Sequence, residues 1–228
     1  MGLDWNPVGK PLLEHQEEFE RLFWLLTDKQ DPKATRLQRL KGAFFPPDRP
    51  AAQKRFEEIQ TSPYSTLGAP QVGFSEAATD WARLRYAGQP EHHKTESEFL
   101  KSMKGYYVLA LVSPCDGLPW YTNGEAGYVE MCSFRAQWLK LECKAVLSHS
   151  LLELCYESCL APELGMLGQA LREAAVRFAN DSAAMHVENL YELAEGSSAT
   201  ERRAHILFAA AKWCRWWSSR GHGLEAFA

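Results

Sequence analysis

No stretch of this 228-residue chain approaches the run of about 18 apolar residues that a membrane-spanning helix needs, so no membrane partner is expected. Its first residues, MGLDWNPVGK, hold no apolar leader core and no cleavage-like segment, which reads as a protein kept in the cytoplasm. An excess of charge is missing too. The chain carries 25 Lys and Arg against 29 Asp and Glu, a formal charge of −4, whereas a non-specific nucleic-acid binder is usually basic. Cys-x-x-Cys, His-x-x-x-His and Glu-x-x-His do not occur, which removes the common zinc patterns. No glycine-rich phosphate loop is found, since LGMLGQA lies inside a helical pattern, and Gly-x-Ser-x-Gly is absent. No metal and no cofactor are therefore expected, and no internal repeat is visible.

What is present is ordinary in amount and unusual in kind. The chain is 46% apolar and contains eight tryptophans, enough for a sizeable core weighted toward aromatic area. Its six cysteines, Cys115, Cys132, Cys143, Cys155, Cys159 and Cys214, read as reduced, mostly small buried apolar residues.

Helical spacing dominates. Leu12, Phe19, Phe23 and Leu26 predict a helix over 11–28, with its glutamates at the positive end of the dipole. Residues 30–75 hold six of the twelve prolines and read as surface loop, pinned by Phe44, Phe45 and Tyr64, with one short helix in AAQKRFEEIQ. Ser75 caps a helix in SEAATDWARLRYA, with Trp81, Leu84, Ala77 and Ala78 facing inward. A further short helix is expected in SEFLKSMK. YYVLALV, the Asp116-Gly117 turn, LPWYTN and GYVEMC predict a hairpin or meander whose first strand is covered on both faces. After Ser133, taken as an N-cap, Phe134, Trp138, Leu141 and Ala145 predict a helix. SLLE at 150–153 reads as a capping box, Pro162 opens a helix with Leu164, Leu167, Leu171, Ala174 and Phe178 inward, and Asp181 caps another. Ser198 and Glu201 form a second capping box for a last helix that stops at Gly221.

That last helix contains AKWCRWWSSRGHG, where tryptophans alternate with cations. On a helical wheel Ile206, Ala209, Ala210, Trp213, Trp216 and Trp217 share one arc, with Arg215 opposite and Lys212 to the side. A base-stacking platform needs rings and cations on one solvated face, so these indoles read as core.

The expected fold is mainly α (α+β), a multi-helix globular domain over 1–228 with a small antiparallel β-hairpin or meander near 105–131. An alternative division sets 1–75 apart as a loosely packed half. The candidate recognition residues are Trp120, Tyr121, Asn123, Glu125, Tyr128 and Arg135, because aromatics and short polar groups on tight turns suit partner contact. Other constellations read as structural. Cys155 and Cys159 with His149 or His186 lack a metal pattern, Glu188, Glu192 and Glu195 read as a solvated helix face, and His92 and His93 as solvated loop.

The preferred function is a non-catalytic binding protein with one protein partner, such as an inhibitor or a toxin-immunity-type protein. The alternative is a hydrolase or transferase with a dispersed Cys/His/carboxylate site, Cys115 being its candidate nucleophile. RNA binding through KATRLQRLK (33–41) and the last helix is the remote third reading.

Overall fold

The computed structural model describes residues 3–29, 48–88, 95–113, 118 and 127–227. Phe44, Phe45, the 33–41 stretch, His92, His93, Cys115, Trp120, Tyr121, Asn123 and Glu125 lie outside the described residues. In chain order the elements are β1 (Asp4–Pro7), β2 (Lys10–Pro11), α1 (Gln16–Leu26), α2 (Arg49–Glu58), β3 (Gln60–Thr61), α3 (Pro63–Thr66), α4 (Glu76–Ala87) and α5 (Glu96–Ser102). They continue with α6 (Gln137–Cys143), α7 (His149–Leu154), α8 (Ala161–Asp181), α9 (Ala199–Ser218) and β4 (Leu224–Phe227). The fold is mainly α with small two-stranded antiparallel sheets. No helix among the described residues is long and apolar enough to cross a membrane. Two compact units are formed, Met1–Ser62 with Gly117–Ala228, and Pro63–Asp116.

The larger unit is organised by α8 and α9. Gly165 faces Ser218 and Gly168 faces Cys214, so the two helices run antiparallel. Their stripes follow the sequence: Leu164, Leu167, Leu171 and Ala174 are buried, as are Ile206, Ala209, Ala210, Trp213 and Trp217. Trp213 and Trp217 are both 0% exposed, and Trp5 joins them, its ring centre 5.7 Å from that of Trp213. Two of these indoles satisfy their N–H on distant carbonyls, Trp5 on Cys155 at 2.7 Å and Trp217 on Met131 at 3.0 Å. Arg215 is exposed and the Lys212 ammonium donates to the Glu188 carbonyl, so neither lies among the indoles. One cation does: Arg220, beyond the helix, folds back over the half-buried Trp216 with its guanidinium 3.7 Å from the ring centre.

Gly168 sits at the closest approach of this pair. A Cβ there would lie 2.8 Å from Cys214 Cβ and 3.3 Å from the Ala211 carbonyl oxygen. Alanine normally gains about 0.5–1 kcal/mol over glycine inside a helix. Overpacking a core costs about 1–3 kcal/mol, which is the larger quantity. Gly168→Ala is therefore expected to lower the urea midpoint, and a raised midpoint would show that the helices have room to part.

Smaller elements complete the unit. Phe19, Leu22 and Phe23 turn the inner face of α1 toward Phe56 and Ile59, and Phe19 stacks on Phe56 at 4.6 Å. Arg55 clamps Glu18 through two 2.9 Å hydrogen bonds. Asp48 accepts from the Ala51 amide and Pro50 lies in the first turn, which starts α2 where the proline-rich stretch ends. Ser198 and Glu201 form the expected capping box of α9.

Several sequence expectations are corrected. The small antiparallel sheet is present, but its strands are β1 with β4 and β2 with β3, whereas 105–113 and 127–131 contribute only single bridges. YYVLALV is not a covered strand. Gly105, at φ 85°, turns the chain into a brief pairing with 70–72, after which Leu109–Leu111 wind into a 3-10 turn with Tyr106 and Leu111 exposed. Ser133 caps nothing, because α6 starts only at Gln137. Leu139 and Cys143 are its buried residues, and Leu141 faces water. The cap of α7 is Ser148, not Ser150. Asp181 ends α8 instead of capping a new helix: Ala183 takes a positive φ of 55° and the Ala184 amide returns to the Ala179 carbonyl, leaving only the 3-10 turn Met185–Val187.

In the smaller unit, Ser75 caps α4 as expected and Thr95 with Glu98 forms a capping box for α5. The core is Ala78, Ala82, Val72 and Val108, with Phe99, Leu100 and Met103 packed against it. Two alanines four residues apart let the neighbouring chain approach closely, and this seam sets the rotation of α4. Leu84 then lies about 140° from the buried midline on a helical wheel, pointing outward. It is 75% exposed, which corrects its assignment to the core; Ala77 is exposed too, and Trp81 is half-buried at the edge.

Candidate functional site

Of the sequence-derived recognition residues, Tyr128 and Arg135 are described. They meet through the backbone, where the Arg135 amide donates to the Tyr128 carbonyl at 2.8 Å. Both line a cleft of about 160 Å³ with Asp4, Asn6, Glu130 and Ser133. Arg135 reaches Asp4 across 3.7 Å and stays half-exposed. Tyr128 does not offer its ring to solvent. It is buried, edge-on to Phe134, and its hydroxyl meets His205 Nδ1. Tyr128 thus borders the cleft with its ring turned into the core, while Arg135 keeps its side chain partly in water.

The geometry fixes the state of His205. Its Nε2 faces the Leu190 carbonyl at 3.0 Å and must donate a proton there. In the neutral ring Nδ1 is then bare and accepts from Tyr128. His222 is also buried, and its Nδ1–H donates to the Val8 carbonyl at 2.7 Å. Burial lowers the pKa of both rings, Lys212 adding to the effect at His205, and Lys10 and Arg220 at His222. Each histidine joins segments far apart in sequence, with all ring nitrogens that the hydrogen bonds identify turned inward.

Four of the thiols are held in the protonated form in the same way. Burial pushes Cys143, Cys155 and Cys159 up to about 12, and Cys214 also well above its ordinary value. Cys155 donates back to the Leu151 carbonyl within its own turn. His149 pairs with Glu153 and His186 with Glu201, so neither reaches the Cys155–Cys159 pair. Among the described residues no group of three His, Cys, Asp or Glu is placed to hold a metal ion. Glu188 pairs with Arg172, while Glu192 and Glu195 lie on exposed loop rather than on one helix face. That loop borders a hollow of about 610 Å³ beside Trp138 and Arg202.

A surface that the sequence reading did not single out lies on the smaller unit. Trp81, Leu84 and Arg85 stand at i, i+3 and i+4 of α4, adjacent positions on a helix. Tyr106 lies parallel to Trp81, with ring centres 6.2 Å apart and planes within 8°. Arg85 covers the Trp81 ring at 5.4 Å. The backbone of Tyr106 and Gly105 pairs with Val72, and two residues beyond Val72 the Phe74 ring is covered by Lys104 at 5.6 Å. Tyr106 is 52% and Phe74 71% exposed. Rings lying under cations, with Leu84 bare one turn from Trp81, give area for desolvation and charge for orientation. Setting the helix phase by the alanines turns Leu84 outward, whereas Tyr106 reaches Trp81 from a distant segment.

Comparison with known protein families, with curated proteins and with solved structures finds no match to this chain.

Proposed function

We propose that this chain is a protein-recognition module that engages one protein partner, and that the Leu84–Trp81–Arg85–Tyr106 face of the smaller unit is its main contact. The observation that carries this reading is the exposure of Leu84 beside a parallel aromatic pair. Aromatics and arginine dominate binding energy at protein interfaces, and a leucine held in water has free energy to gain from being covered. Burying one such side chain gains about 1.5–3 kcal/mol before the cost of association is met. The cleft edge at Arg135 is a second, polar contact on the larger unit. Free thiols at Cys132, Cys143, Cys155, Cys159 and Cys214 suit a reducing cytoplasm as the place of action.

The test is capture from native lysate by immobilised wild-type chain and by the double variant Leu84→Asp, Tyr106→Ala. Both positions are on the surface, so circular dichroism and the thermal midpoint should agree between the two. The expected result is one protein retained by the wild type and reduced at least tenfold by the variant. Equal retention by both proteins, with the fold intact, overturns the assignment of this face.

A further inference from the structure

The outward side of α4 carries a stripe that its own unit leaves uncovered. Ala77, Trp81, Leu84 and the C-cap Gly88 follow at steps of four, three and four residues, the spacing of a coiled-coil seam. Ala77, Leu84 and Gly88 are exposed and Trp81 is half-buried. Ala78 and Ala82, the buried residues of the helix, lie about 110° from the stripe on a helical wheel. In heptad terms Trp81 stands at a and Leu84 at d, where leucine favours a two-stranded pairing. Tyr106, parallel to Trp81 and 52% exposed, widens the apolar strip.

Charges of opposite sign flank this stripe. Asp80 lies about 70° to one side of it and Arg85 about 70° to the other, at the g and e positions. Arg85 rests over the Trp81 ring at 5.4 Å and meets no carboxylate among the described residues. Asp80 pairs with Arg83 at 2.7 Å, yet both side chains are about half exposed, and Arg83 also has Glu96 at 3.6 Å. An exposed pair between neighbours on one helix is weak. Asp80 can therefore turn toward a second cation while Arg83 keeps Glu96.

We propose that the occupant of this face is a second copy of the chain, in a two-fold dimer that lays the two α4 helices side by side and parallel. The proposal rests on the protein-recognition reading and names the partner. Trp81 and Leu84 of each copy meet their counterparts at the seam, and Asp80 of each copy pairs with the partner's Arg85. The symmetry forms this ion pair twice, because an isologous contact repeats every interaction. An antiparallel pairing is disfavoured: it sets the two Asp80 flanks against each other and the two Arg85 flanks likewise. Three turns of helix, about 18 Å, make a small contact, so association depends on concentration.

Analytical ultracentrifugation of the full chain over about a hundredfold range of concentration tests this. The wild type is expected to move from one chain mass toward two, and Leu84→Asp to remain at one. Asp80→Arg and Arg85→Asp should each associate at least tenfold more weakly, since each sets like charges across the seam. Mixed in equal amounts, these two variants should regain the wild-type association, because one supplies the cations and the other the carboxylates. Circular dichroism checks each fold, and if a charge variant unfolds, Leu84→Asp decides. A wild type that stays at one chain mass overturns the dimer; recognition then stands if lysate capture depends on Leu84, and falls with it if not. A dimer indifferent to Leu84→Asp overturns the proposal as well. A Leu84-dependent dimer whose charge variants, both folded, do not complement one another overturns the parallel pairing.

Discussion

Trp217→Ala is expected to destabilise the larger unit by about 3–5 kcal/mol, the range for removing a buried aromatic and leaving a cavity. Trp217 is 0% exposed, its ring lies 6.3 Å from Trp213 and 4.6 Å from Trp216, and His222 meets it edge-on at 5.0 Å. Alanine would remove the contact between the end of α9 and the turn into β4, and with it the indole bond to the Met131 carbonyl. Ordinary domains hold only about 5–15 kcal/mol in total, so a loss of this size takes a large share. Phenylalanine separates the two contributions. Trp217→Phe deletes an indole N–H that is bonded, whereas the Trp213 N–H is buried and unpartnered. Phenylalanine at 217 should therefore cost about 1 kcal/mol more than at 213. Urea unfolding followed by far-ultraviolet circular dichroism measures all three variants. A Trp217→Ala midpoint equal to wild type would contradict the packing described.

The second large effect is acid sensitivity. His205 and His222 fold as neutral rings with depressed pKa, against an ordinary value of 6.5. Above pH 6.5 neither state takes up a proton at these rings, and their contribution to stability is complete. As the pH falls below that value the unfolded chain binds protons first, so stability drops until the folded rings protonate too. Each histidine contributes a slope of up to about 1.4 kcal/mol per pH unit within that window. The Glu201 carboxylate acts lower. Glu201, held at about 2 by its bonds to Ser198 and His186, contributes stability that is lost only as the pH falls below its ordinary 4.5. Urea midpoints between pH 7.5 and 5 should fall, and His205→Gln or His222→Gln should each flatten the slope by about half. A flat profile in the wild type would mean that both rings titrate as freely in the fold as outside it.

Protonating His205 has a structural consequence beyond the slope. A charged ring carries a proton on both nitrogens, so Nδ1 can no longer accept from Tyr128. The Tyr128 hydroxyl, which can also accept, then takes this bond in the opposite sense, from Nδ1–H.

Parts of the candidate surfaces were legible from residues alone and parts were not. Ser75 and Ser198 mark helix starts by local hydrogen bonds, which need only neighbouring residues, and the apolar stripes of α8 and α9 follow from 3.6-residue spacing. Leu84 was misread because large apolar residues were given precedence in setting the phase of α4. In the fold the Ala78–Ala82 seam decides it, since only small side chains allow Val72 and Val108 to come close. Tyr106 was misread for a related reason. Seven apolar residues in a row do not say whether they form a covered strand or a turn with one side in water, and the pairing of 105–108 with 70–72 is a long-range event.

By itself the sequence determined a mainly helical chain, several of its helix starts, and the burial of Trp213 and Trp217, though not the half-exposed position of Trp216 under Arg220, because caps and periodicity act within one or two turns. Only the tertiary structure decided that residues 4–7 pair with 224–227, that Tyr128 is tied to His205, and that Trp81, Leu84, Arg85 and Tyr106 share an outward face. Those arrangements depend on which distant segment occupies the space beside each side chain, and no local pattern carries that information.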